Sequence, residues 1–285
     1  MGGVQSTTVS DGYLAKVDAA GNVQWTRVLG ANDAQFIYGI EVTADGGYAV
    51  IGAYEINNNW KLYATRLDDV GNEIWSRYYD VNSLNIDQLG YSAVALPNGN
   101  LVITGTSGDT GDPTDAFVME VNTFGAIMWI KTYDYDNYVN TGISIQRLTN
   151  GDLMLLQHLH FVTDSSDEGP EGFILSRLDA SGEEIWSRYT QIDDLPVNTT
   201  IFGQAFTIVG QASKLIVTPE EDIVIALTGD SNNLDEVRPQ LLKLDSDGTM
   251  IWGRQFGAPG FLHAPIFPEY GDLLTLTSDN HYAII

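Results

Sequence analysis

Four sets of side chains in this 285-residue chain have the types that chemistry needs. Asp109, Asp112 and Asp115 alternate with Gly and Thr, and Asp134 and Asp136 flank Tyr135. Oxygen-rich loops of this kind can ligate Ca²⁺. The spacing is neither that of an EF-hand nor that of the glycine-rich nonapeptide of calcium β-rolls, so a solvated acidic loop is the first expectation and Ca²⁺ the one candidate ion. His158 and His160 stand two apart, which on a strand puts them on one face as half of a metal site. No third ligand accompanies them, since His263 and His281 lie far along the chain. Glu41 is an acid eligible for glycoside hydrolysis, but that chemistry needs a second carboxylate opposite the first, and none stands out. Trp60, Tyr133, Tyr135 and Tyr138 are candidate platforms for stacking a sugar ring.

Other chemistries are excluded. The chain has no cysteine, hence no disulfide, thiolate metal site or Cys nucleophile. It has no Gly-x-Ser-x-Gly elbow, and Asn198-Thr-Thr200 is a lone glycosylation sequon. Asp and Glu number 38 against 13 Lys and Arg, a net charge of −25. Nucleic acid and anionic membranes bind through basic patches, so neither is expected as a partner. No run approaches the ~20 apolar residues that span a bilayer. Met1-Gly2-Gly3-Val4-Gln5 has neither the basic nor the apolar region of a signal peptide.

The elements that position these groups repeat. Asp/Asn-x-x-Gly-x-x-x-Trp occurs five times, at Asp18…Gly21…Trp25, Asp68…Gly71…Trp75, Asn122…Gly125…Trp129, Asp179…Gly182…Trp186 and Asp245…Gly248…Trp252. Asp or Asn opening and Gly closing is type I turn chemistry, and the flanks alternate apolar and polar, so each copy predicts a β-hairpin. Between hairpins a tight turn precedes an apolar run, as at Asp45-Gly-Gly-Tyr-Ala-Val-Ile51 and Asn98-Gly-Asn-Leu-Val-Ile103. Such a run reads as a strand buried on both faces. The same reading at Tyr270-Gly-Asp-Leu-Leu-Thr275 makes Leu273–Thr277 the last buried strand. With an inner strand before each turn, residues 1–285 make one all-β domain, a five-bladed β-propeller of four-stranded blades. The N-terminal hairpin completes the last blade and closes the ring. Gly2-Gly3-Val4 and His281-Tyr-Ala-Ile-Ile285 fit the alternative, a piece of a longer array.

The basic residues follow the repeat. Trp-x-Arg/Lys places Arg27, Arg77, Lys131, Arg188 and Arg254, and a second base precedes the turn at Lys16, Arg66, Arg177 and Lys243, with Glu120 in the third copy. Their stems are expected along the Trp rings and their charges on acids between blades. Lys61, Arg147, Lys214 and Arg238 fall outside this frame. The hairpin turns and the turns before the buried strands share one face of the ring. The long acidic connections share the other, which is where binding is expected.

The Asp-x-x-Gly-x-x-x-Trp hairpins resemble the tryptophan-docking motif of quinoprotein-type propellers, and the whole repeat resembles those of secreted bacterial propeller-repeat proteins of unknown activity. The resemblance implies a fold and no activity. The quinone cofactor is not expected, because the motif ties blades together and is not the cofactor site. The expected function is a non-catalytic extracellular or particle-surface module binding a protein or glycan through the acidic long-loop face. The alternative is a lectin or glycoside hydrolase using the central funnel.

Overall fold

The computed structural model describes residues 12–29, 35–56, 59–80, 87–108, 114–135, 138–161, 171–191, 196–197, 206–207, 211–228, 239–256, 274–277, 279 and 281–284. The described residues form strands and turns, with no helix, so no helix is long and apolar enough to cross a membrane.

The chain starts with an antiparallel pair, β1 (Gly12–Val17) and β2 (Val23–Leu29). Four four-stranded antiparallel sheets follow, each in chain order. The first is β3 (Gln35–Val42), β4 (Tyr48–Ile56), β5 (Asn59–Leu67) and β6 (Glu73–Tyr79). The second is β7 (Asp87–Ala95), β8 (Leu101–Gly108), β9 (Asp115–Val121) and β10 (Ile127–Tyr133). The third is β11 (Tyr138–Arg147), β12 (Leu153–Phe161), β13 (Glu171–Leu178) and β14 (Glu184–Gln191). A short pair, β15 (Pro196–Val197) and β16 (Phe206–Thr207), precedes the fourth sheet. That sheet is β17 (Gln211–Val217), β18 (Ile223–Thr228), β19 (Pro239–Leu244) and β20 (Met250–Gln255). The last pair is β21 (Leu274–Leu276) and β22 (Tyr282–Ile284).

The first strands β3, β7, β11, β17 and β21 lie side by side in succession, the arrangement of propeller blades around an axis. Second strands are buried on both faces, as their apolar runs demand: Ala49, Val50, Ile51, Leu101, Val102 and Ile103 are all sealed. Core clusters run from blade to blade, one joining Ile51 and Leu62 to Leu101 and Phe117, another joining Leu156 and Phe173 to Ile225 and Leu242.

Each Asp…Gly…Trp segment folds as the residues dictate. Asp18 Oδ1 accepts from the backbone N of Ala20 and Asn22 at 2.9 and 2.8 Å, and Asp68, Asn122, Asp179 and Asp245 repeat this. The closing glycines sit at φ between +76° and +82°, left-handed backbone where other residues are strained. A register shift follows each turn, so every hairpin carries a bulge.

The hairpins dock in sequence. A Cβ added at Gly71 would meet the Trp25 ring at 3.0 Å, at Gly125 the Trp75 ring at 3.1 Å, at Gly182 the Trp129 ring at 2.7 Å, and at Gly248 the Trp186 ring at 2.9 Å. Each of these four Trp rings therefore packs on the turn glycine of the following hairpin, and only hydrogen fits between. Trp75 Nε1 donates to Thr123 O in that turn at 2.9 Å. Tyr79 and Tyr133, four residues beyond their Trp, donate to the Gly125 and Gly182 carbonyls at 2.8 Å. Leu29 holds that position in the first hairpin, and Arg27 Nε takes the Gly71 carbonyl at 2.6 Å instead.

The basic frame differs in part from expectation. Arg27, Arg188 and Arg254 lie over Trp25, Trp186 and Trp252 at 5.5–5.7 Å, and Lys131 reaches Glu183 of the next blade at 2.5 Å, as anticipated. Three of the four second bases instead bond within their own blade, Arg66 to Asp45, Arg177 to Asp152 at 2.8 Å and Lys243 to Asp222 at 2.7 Å, while Lys16 donates to the Asp69 carbonyl of the next hairpin at 3.2 Å. The acid sits in the turn between the first two strands, directly beside the third strand, so the near partner is used. Where Glu120 replaces the base, Asn100 replaces the turn acid and donates to it at 2.5 Å.

The C-terminal pair corrects the strand assignment. Leu274–Leu276 is a first strand and Tyr282–Ile284 the second, while the proposed turn at Tyr270 lies outside the described residues. Thr277, Asp279 and His281 lie between the two strands, with Thr277 N donating to His281 O at 2.8 Å as Thr43 N does to Gly47 O at 2.9 Å. Thr277 Oγ1 also donates to Asp279 at 2.5 Å, as Thr43 Oγ1 does to Asp45 at 2.7 Å. Trp252 meets Tyr282 edge-on at 6.3 Å, as Trp25 meets Tyr48 at 5.5 Å. The pair β21–β22 is thus the inner half of a blade, and β1–β2 is an outer half; the two form separate sheets.

Candidate functional site

The ends of the second and fourth strands and the starts of the first and third open onto the face of the long connections. First strands carry a bulge there, with one extra residue at Tyr38, Tyr91, Ile143 and Ser213. A bulge re-aims its side chain, and in two adjacent blades that side chain is tyrosine. Tyr38 and Tyr91 pack at 5.2 Å, where β3 and β7 run so close that a Cβ on Gly39 would come 2.8 Å from the Tyr91 carbonyl. Phe36 stacks on Tyr38 at 6.2 Å, and Trp60 tilts onto Phe36 at 5.0 Å. Trp60 is anchored by its backbone N, which donates to Asp87 Oδ1 of the next blade at 2.8 Å. The outcome is a row of four aromatic rings across one blade seam, with Phe36 42% exposed.

The other expected groups are distributed differently. Tyr133 and Tyr135 are built into the seam between the second and third blades. Burial pushes the Tyr133 hydroxyl up well beyond the usual phenol range, and it donates to Gly182 O. Burial likewise raises Tyr135, with the Glu184 carboxylate adding to the effect, while Ser187, Gln157 and Ser176 bond its hydroxyl. Tyr138 begins β11, its backbone N donating to Tyr135 O at 3.0 Å. Glu41 Oε1 accepts from Ala95 N of the next blade at 3.5 Å, so it bridges blades. His158 is buried in β12, and the His160 side chain lies outside the described residues.

Of the acidic set, Asp109, Asp112 and Asp136 lie outside the described residues. Asp115 at the start of β9 and Asp134 just beyond β10 come together. Burial raises the Asp115 carboxyl above the ordinary range, and the charge of Asp134 and a hydrogen bond with it raise it further. Two carboxylates this close repel unless a proton or cation sits between them. Among the described residues no three His, Asp or Glu side chains converge as a metal site.

Phe36, Tyr38 and Tyr91 escaped sequence reasoning. Aligning the inner strands would have set Tyr38 against Tyr91, but alternation alone places a bulged residue on the wrong face.

No protein-family model matches this chain, and no curated protein matches it in sequence. Solved structures overlay on it loosely. A member of the DUF4221 family from Bacteroides vulgatus aligns at 10% identity over 90% of this chain and 76% of its own, TM-score 0.46. A GH43 β-xylosidase/α-arabinofuranosidase from a compost microbial metagenome aligns at 9% identity over 88% and 94%, TM-score 0.46. The periplasmic gluconolactonase of Pseudomonas aeruginosa aligns at 13% identity over 86% and 79%, TM-score 0.42. At such identities and scores no activity transfers. The fold described above is propeller-like on its own geometry.

Proposed function

We propose that the chain closes a five-bladed ring and serves as a non-catalytic interaction module, outside the cell or on a particle surface, engaging its partner at the long-loop face. Closure is supported by complementary gaps. Gly21 has nothing within 4 Å of a built Cβ, whereas the four other turn glycines each carry a Trp ring. Trp252 packs on Tyr282, and among the described residues no turn glycine lies against its ring. The half-blades β21–β22 and β1–β2 together supply the four strands of one blade.

The row Trp60–Phe36–Tyr38–Tyr91 carries the functional reading. Exposed ring faces on a protein of net charge −25 suit a partner that stacks and donates hydrogen bonds, which favours a glycan over an anionic ligand. A glycan array and a hydrolase substrate panel, run on the parent protein and on Trp60→Ala, test this. The expected result is glycan binding that falls at least tenfold in the variant, without turnover. Turnover of any polysaccharide would put the enzyme reading in its place, and unchanged binding by the variant would move the contact elsewhere.

A further inference from the structure

Arg147 closes β11 at a position where the other first strands end in Val42, Ala95, Val217 and Leu276. A charge that breaks an apolar repeat position is not explained by the frame that accounts for most other bases. Its guanidinium lies against the next turn: a Cβ on Gly151 would stand 3.4 Å from Nη2. Among the described residues no carboxylate or carbonyl accepts from it, although the protein carries 38 acids. Asp152, the residue just before β12, is already held by Arg177 at 2.8 Å.

Beside Arg147 opens a cavity of about 270 Å³ between the second and third blades, on the short-turn face. Its accessible apolar walls are Leu96, Pro97 and Ala180, with the sealed Val102 and Leu153 behind them. Asn98 lines the rim, and its Oδ1 is occupied by the backbone N of Asn100 at 3.0 Å, so the side-chain N–H groups are the remaining contact it offers. The pocket thus joins an apolar floor to two donors, one permanently charged. A carboxylate takes a guanidinium in a bidentate fork and accepts from an amide, while its apolar substituent fills the floor.

We propose that this cavity binds a small apolar monocarboxylate, with the carboxylate on Arg147 and Asn98 and a branched aliphatic or aromatic group against Leu96, Pro97 and Ala180. A single negative charge is specified because the surrounding net charge of −25 opposes polyanions. The carboxylate could belong to a free acid or to a chain end.

Titration calorimetry with N-acetyl-leucine, its amide, and a hexapeptide ending in leucine tests the proposal. The acid should bind at least tenfold more tightly than the amide, the usual gain from a charge-assisted pair. Arg147→Val and Asn98→Asp install the residues that sister blades carry, so both should fold with the parent melting temperature. Arg147→Val should lose the preference for acid over amide, and Asn98→Asp should weaken the acid at least tenfold. Peptide binding that matches the free acid indicates a chain-end site, and binding of the acid alone a metabolite-sized one; either supports the pocket. Equal binding of acid and amide, parent-like affinity in Arg147→Val, or no binding of either carboxylate at 10 mM would overturn it.

Discussion

Replacing Gly182 by alanine separates two costs that the docking geometry stacks at one atom. The residue sits at φ +82°, and a Cβ there would lie 2.7 Å from Trp129 Cζ3, a rigid ring atom. Left-handed backbone costs a non-glycine residue ~1 kcal/mol. Forcing a methyl into the ring adds ~1–3 kcal/mol of overpacking. Gly182→Ala should therefore destabilise by ~2–4 kcal/mol, and Trp129→Ala by ~3–5 kcal/mol as a large aromatic truncation. The two effects should not add. With the ring gone, the methyl meets only the flexible Lys131 stem, whose Cγ stands 3.2 Å away, so mainly the backbone strain remains and the cycle should show ~1–3 kcal/mol of coupling. Urea denaturation followed by circular dichroism and fluorescence, with coincident transitions, measures it. Additivity within ~0.5 kcal/mol would refute the claim that Trp129 rests on Gly182.

Other outcomes follow from the charges and the repeat. Asp134→Asn should raise stability at pH 7 by relieving Asp115, whose raised pKa means the folded state holds its proton above the ordinary range. The gain should shrink on acidification toward pH 4, and a constant gain across pH would sink this reading. Asp45 has the opposite sign: the Thr43 hydroxyl, the Gly47 amide and Arg66 hold its carboxyl below the ordinary range. Asp45→Asn should therefore destabilise at neutral pH, with the difference closing as pH falls below ~4. Melting temperature should rise with NaCl, because screening relieves the net charge of −25. A further rise in millimolar Ca²⁺ at fixed ionic strength would mark a site at Asp115, Asp134 and the loops beside them, whereas identical curves in Ca²⁺ and chelator would remove calcium.

The hairpins were legible because their chemistry is local: an Asx turn needs Asp18 or its counterparts, and a left-handed corner needs glycine. The Trp positions were legible because the docking partner is a backbone feature that repeats with them. The direction of the second base was not, since Arg177 can reach an acid in either of two blades and strand adjacency decides. The last strand misled because Tyr270-Gly-Asp imitates Asn98-Gly-Asn, while the true turn at Thr277 has no glycine. The site was less legible than the scaffold. Trp60 could be picked out by type, but its neighbours Phe36, Tyr38 and Tyr91 reach it through bulges and a blade seam, neither of which leaves a local pattern. Tyr133 shows the converse, an aromatic on the right face whose hydroxyl is committed to the joint.

Closure of the ring is tested most directly by one distance. The chain has no cysteine, so spin labels can be placed at single sites on exposed hairpin tips. Phe124 and Ser181 sit at the tips of docked neighbours, and Ala20 and Asp247 are the equivalent tips of the first and last hairpins. Double electron–electron resonance on the 20/247 pair should give a distance distribution that superimposes on the 124/181 control. A 20/247 distance well beyond the control, in a monomer, would leave Trp252 undocked and contradict the five-bladed ring.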